Sequence, residues 1–258
     1  MKARAGISSH CCVFFLVPKP GPASTRTSPP GAAAAFGRYA GKAELRMRQV
    51  PIGNVNLQSG ELRIEPGLSG NDGEVPGGMI QDWIGTMFIS GATLDRVQAV
   101  LRDYAHYKMF YAPKVIDSEV LAHRGDEYDI SLRLVEKHLV TVVLNTTYHI
   151  RYSAPDPQHL LVSSCSTHVG EVKDPGTSYA DEFPPGQDSG FLWRLNSYWR
   201  FRAADGGIYA RCEAVSLSRD VPLGLGWMLK GFLEALPKQS MQNTLRGTRD
   251  AILGRKAR

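Results

Sequence analysis

Hydrophobic and polar positions change their period several times along this chain. Over residues 32–49, Phe36, Tyr39, Ala43 and Met47 recur at near-helical spacing with Lys42, Arg46 and Arg48 between them, which predicts a short helix. A strand or extended segment is expected at 61–65, followed by a Gly-, Asn- and Asp-rich loop over 67–78. Residues 79–89 are apolar and β-prone enough for a strand that stops at Ser90-Gly91. Helical spacing then returns at Leu94, Val97, Val100, Leu101 and Tyr104. Thr93 stands where a hydroxyl can accept a bond from an orphan amide, and Asp95 lies in the first turn, where the helix dipole favours negative charge. The aromatic stretch 104–111 predicts a second short helix, ended before Pro113 because the residue preceding proline avoids helical backbone.

Beyond Pro113 the pattern alternates for about a hundred residues. Tyr128, Ile130, Leu132 and Leu134 alternate with Asp129, Ser131 and Arg133, and Val140, Val142, Leu144, Tyr148 and Ile150 form the next such face. Asp156, between two prolines, marks a turn into a strand over 159–172, and a long loop covers 174–189. Phe191, Trp193, Leu195, Trp199 and Phe201 then share one face, while Arg194, Asn196, Tyr198, Arg200 and Arg202 share the other. Asp205-Gly206-Gly207 is a hairpin signal. An even-length loop pairs odd positions of the first strand with even positions of the second, so Trp199 and Phe201 fall beside Ala210, Cys212 and Ala214. Small residues opposite aromatic ones let a sheet curve and leave room above it, or else pack with them into a filled core. On the other face, Arg194, Arg200, Arg211 and Glu213 are expected as a solvated cross-strand ladder.

The last periodic stretch, 220–255, is a long amphipathic helix with its stripe at Leu225, Met228, Leu229, Phe232, Leu233, Leu236, Met241, Leu245 and Ile252. Pro237 removes an amide donor inside it, which predicts a bend and offers a point where the first half could lift. Arg219-Asp220 just before it reads as a cap for the helix start or as a pair orienting a ligand head.

This order of elements is that of the α+β helix-grip fold: a curved antiparallel sheet wrapped around a long C-terminal helix, with two short helices after the first strand. The stretch Phe88-Ile89-Ser90-Gly91-Ala92-Thr93-Leu94-Asp95-Arg96-Val97, with Tyr111-Ala112-Pro113-Lys114-Val115-Ile116-Asp117-Ser118, resembles the opening of the START-like or SRPBCC superfamily. Residues 190–201 and 212–222 are similar to a bacterial branch of it. The resemblance spans about residues 78–252 and implies a ligand held between the concave face of the sheet and the long helix. Its lining would then be Trp193, Leu195, Ser197, Trp199, Phe201, Cys212 and Ala214, with Met228, Phe232 and Leu236 from the helix. That wall suits a lipid-like or aromatic guest, and the family also includes polyketide cyclases. A cyclase or dehydratase would need Ser197, Tyr148, His149 or His168 to converge inside.

Composition adds bounds. Residues 1–31 hold little that could pack and read as a disordered leader or a targeting segment, 32–77 as a helical extension with a loop, and 78–255 as the ligand-binding domain. Export and a cytoplasmic location both stay open. The net charge of +5 is scattered, without a basic stripe interleaved by aromatics, so no nucleic-acid partner is expected. No run is long and apolar enough for an integral membrane segment. Peripheral membrane contact is left room for by the basic C-terminus and Trp227-Met228. Seven histidines and four cysteines show no paired ligand spacing, so no metal and no cofactor is expected. Cys165 and Cys212 read as small buried residues, and no catalytic residue is assigned.

Overall fold

The computed structural model describes residues 28–49, 57, 60–67, 73–137, 141–176, 178–184, 186–219 and 226–255, with backbone only over 226–236. Among these residues, nine strands form one antiparallel sheet: β1 (Leu62–Pro66), β2 (Glu74–Val75), β3 (Gly78–Ser90), β4 (Val115–Arg124), β5 (Glu127–Lys137), β6 (Thr141–Asp156), β7 (His159–Glu171), β8 (Arg194–Ala204) and β9 (Gly207–Arg219). Their order is β1-β3-β9-β8-β7-β6-β5-β4, with β2 pairing β3 at the side. From β4 to β9 each strand pairs its successor in sequence, as short connections between alternating segments favour. The β8–β9 turn places Asp205 at φ 53° and Gly206 at φ 72°, the left-handed pair that a two-residue hairpin uses. As the alternation requires, Trp199 lies opposite Cys212 and Phe201 opposite Ala210.

Helix α1 (Pro30–Gln49) lies against one face of this sheet and α4 (Gly226–Ile252) against the other. Two short helices, α2 (Leu94–Leu101) and α3 (Tyr107–Phe110), follow β3, with a single 3-10 turn at Tyr104–His106 between them. Thr93 caps α2 by accepting the Arg96 amide at 3.3 Å. Arg96 in turn donates to the Ile252 carbonyl at 3.1 Å, placing a cation at the C-terminal end of α4. Tyr107 and Tyr152 each donate to the Leu101 carbonyl at 2.7 Å. The Tyr104 hydroxyl, 2.6 Å from that of Tyr152, is therefore the donor between those two phenols, and each of these buried hydroxyls is satisfied.

The second half of α4 lies close on the sheet. A Cβ at Gly85 would meet the Leu245 Cδ1 at 2.6 Å and the Met241 Sδ at 2.8 Å, so the helix rests on bare backbone there. Pro237 is inside α4, as the pattern predicts, whereas residues 220–225 of the expected helix, including Asp220 and Leu225, lie outside the described residues.

The strand or extended segment expected at 61–65 is present as β1, paired along β3 from Leu62 opposite Met87 to Pro66 opposite Trp83. Two expectations change. Trp193 does not share the Trp199 face. It stands one residue before β8 and packs with Ile80, Val215, Leu217 and Phe36 on the α1 side. The arginine–glutamate ladder is not solvated throughout. Glu213 is fully buried under α1, and Arg200 donates to the Met47 and Arg48 carbonyls at 3.3 and 3.2 Å, closing the last turn of that helix.

Candidate functional site

The face of the sheet turned toward α4 divides into two halves. Its rungs can be read off the register: Leu160, Phe201, Ala210 and Met87, then Val162, Trp199, Cys212 and Gly85, then Ser164, Ser197, Ala214 and Trp83. The first rung is sealed, with Phe201, Ala210 and Met87 at 0% exposure. The second is nearly so, and its Trp199 ring stacks on Phe201 with centroids 5.3 Å apart and planes 3° from parallel. In both rungs Met241 and Leu245 join the core from α4, while α2 adds Val97, Val100 and Leu101.

At the third rung the closure stops. Trp83, Ala214, Ser197 and Ser164 all keep part of their surface, as do Leu195, Leu132 and Leu134 farther along the same face. Met241 and Leu245 sit over Gly85 and Ile252 lies by α2, so the backbone of α4 runs from the sealed half back over this one. The sequence-predicted residues thus separate. Leu195, Ser197 and Ala214 belong to the partly open half, Trp199, Phe201 and Cys212 to the sealed half, and Trp193 to the opposite face. The side chains of Met228, Phe232 and Leu236 lie outside the described residues. Trp83, Leu132, Leu134 and Ser164 are additions. Leu132 and Leu134 were visible as an alternating face, but Trp83 was hidden in a run of apolar residues that shows no alternation.

Polar points on the open half are few. The Ser166 hydroxyl accepts the Leu195 amide at 3.0 Å, and Ser164 and Ser197 lie directly opposite each other. Thr146 donates to the Leu132 carbonyl at 2.8 Å. Tyr148 and Tyr111 are both pushed up to about 12, in each case chiefly by burial, so both stay neutral at pH 7. The Tyr111 hydroxyl sits 3.0 Å from that of Thr248 on α4. The two histidines considered for acid–base work are elsewhere. His149 Nδ1 lies 2.8 Å from Asp129 and His168 Nε2 lies 2.8 Å from Glu182, both on the other face, so neither joins Ser197 and Tyr148. Cys212 is buried in the sealed half with its thiol pushed up by desolvation, and Cys165 is half-buried.

A recess of about 720 Å³ opens at the ends of β5 and β6, where Val115, Val135, Val143, Pro175 and Tyr179 line it and Lys108 and Lys137 stand at its edge. Among the described residues no three His, Cys, Asp or Glu side chains gather as a metal site. No described helix is long and apolar enough to cross a membrane.

The fold is α+β, an antiparallel sheet with a long C-terminal helix laid on one face. Similar solved structures include a STAR-related lipid transfer protein from Xanthomonas axonopodis, at 17% identity over 74% of this chain and 98% of that one, with a TM-score of 0.49. The Zhui aromatase/cyclase from Streptomyces sp. R1128 shares 12% identity over 67% of this chain and 94% of its own, with a TM-score of 0.47. Human STARD10 shares 11% over 82% and 78%, also at 0.47. Identities this low concern the fold alone. No family model matches the chain, and no curated protein sequence does.

Proposed function

We propose that this protein binds and carries a hydrophobic small molecule, lipid-like or aromatic, on the partly open half of the face beneath α4. The observation that supports it is the uneven closure of a single sheet face. Trp83, Leu132, Leu134, Leu195 and Ala214 stay partly exposed beside one rung that is sealed and a second that is nearly so. A guest laid on them gains roughly 25 cal/mol for each Å² of apolar surface removed from water. Ser164 and Ser197 give it a hydroxyl or carbonyl to bond, and the neutral phenols add no charge for it to meet.

Extraction of the purified protein followed by mass spectrometry tests the reading. A stoichiometric apolar compound is expected from the wild type, and Ala214→Trp, which fills the floor beside Trp83, should release it. Failure to take up any apolar probe, by a protein whose Ala214→Trp form behaves identically, would sink the idea. A cyclase or dehydratase acting in the same place is the second reading, and it has less support because His149 and His168 face away from Ser197 and Tyr148. It would have to run on serine and tyrosine hydroxyls alone.

A further inference from the structure

On the α1 side of the sheet, Asp82 of β3 and Glu213 of β9 are buried together, and neither exposes any side-chain surface. Both are held from α1. Arg46 donates to Asp82 at 3.0 Å and, very closely, to Glu213, while the Tyr39 hydroxyl donates to Asp82 at 2.7 Å. The chain leaving β1 closes the side, since a Cβ at Gly67 would lie 2.4 Å from the Asp82 carboxylate. Arg211, on β9, acts on Asp82 only at longer range. One oxygen of each carboxyl, Asp82 Oδ1 and Glu213 Oε2, meets no donor, and the other oxygen of each bonds the same Arg46 nitrogen, which brings the two carboxyls together.

We propose that Asp82 and Glu213 share one proton and that this proton latches α1 to the sheet, the helix opening more readily once both carboxyls are ionised. The charges favour it. Arg46, the guanidinium bonded to both carboxylates, balances one of them, and a shared proton neutralises the other while giving both bare oxygens a partner. Loss of that proton to solvent leaves a second anion where water has no access, and lifting α1, the element that carries Arg46 and Tyr39, is the route by which water enters. Arg46 pulls on the second charge too, but burial outweighs it. Glu213 is raised from 4.5 to about 7, by desolvation first and the Asp82 charge next, and Asp82 is also raised by desolvation. A carboxyl raised on docking stabilises the docked state fully below its ordinary range. That contribution is lost as pH rises through the raised value, so the window lies between about 4.5 and 7 and extends a unit beyond.

Only strands whose other faces form the open floor are involved: Asp82 adjoins Trp83 and Glu213 adjoins Ala214. The latch is thus on the back of the proposed binding face, though it does not depend on that reading.

Hydrogen exchange followed by mass spectrometry between pH 5.5 and 8.5, corrected for intrinsic rates, decides the matter. In the wild type, protection of peptides within 30–49 should fall roughly tenfold from pH 6 to pH 8, as expected for linkage to one proton, while α2 stays constant. Glu213→Gln keeps an acceptor for Arg46 and supplies a permanent donor to Asp82, so its profile should be flat. Asp82→Asn serves the same purpose if the first variant fails to fold. A flat wild-type profile, an equal fall in α2, or an unchanged slope in a folded variant would each overturn the latch.

Discussion

The two faces of this sheet are covered in opposite ways. On the α4 side the contact is apolar, and it is complete over Phe201 and Met87 yet partial over Trp83 and Leu195. On the α1 side small residues, Ala32, Ala40 and Ala43, let the helix approach, and a charged cluster is enclosed at the centre. The difference is one of tolerance. Apolar surface left partly wet costs only in proportion to its area, so such a face can remain open for a guest. A buried carboxylate left without its partner costs far more, so the charged face has to be covered fully and in register.

The sharpest way to break the comparison lies in the sealed half. Phe201→Ala should destabilise the protein by about 3–5 kcal/mol in denaturant unfolding, because the ring stacked on Trp199 leaves a cavity that cannot collapse easily. Arg46→Met comes next, at about 2–4 kcal/mol at pH 8, where it strands two carboxylates; the upper range is tempered because the Arg46 side chain is 39% exposed. The loss should shrink at pH 5.5, where the pair holds its shared proton, and urea unfolding at the two pH values reads that sign directly. The smallest effect is expected at Leu132→Ala on the open floor, about 1 kcal/mol in stability. Its binding of a fluorescent apolar probe should nevertheless drop several-fold. A large stability loss there would mean that the open half is ordinary core.

Much of the architecture follows from period alone. The alternation from Tyr128 to Ile150, the Asp205-Gly206 turn and the Thr93 cap each act between neighbours in sequence, so local pattern suffices to read them. The α1 contact is of another kind. Glu213 alternates like a solvated residue, and what makes its burial tolerable is Arg46, 167 positions earlier, which no local period can reveal. Trp193 was misplaced for a related reason. Alternation holds only within a strand, and β8 begins at Arg194, just after a turn at Gly190 with φ 71°. The candidate floor was half legible: Leu195, Ser197 and Ala214 came from the hairpin register, but where the closure ends depends on how far α4 presses down, and that is set across the whole sheet.

The contact at Gly85 fixes that limit mechanically. With Leu245 and Met241 seated on bare main chain, α4 behaves as a beam clamped at one end, with no clearance left on the clamped side. Any adjustment of headroom over Trp83 and Ala214 must then be made by bending beyond the clamp, and Pro237, one helical turn from Met241, is the nearest place where the beam lacks a rung. A side chain at position 85 would act as a shim, raising the whole beam. It would unseal the closed half before it enlarged the open one.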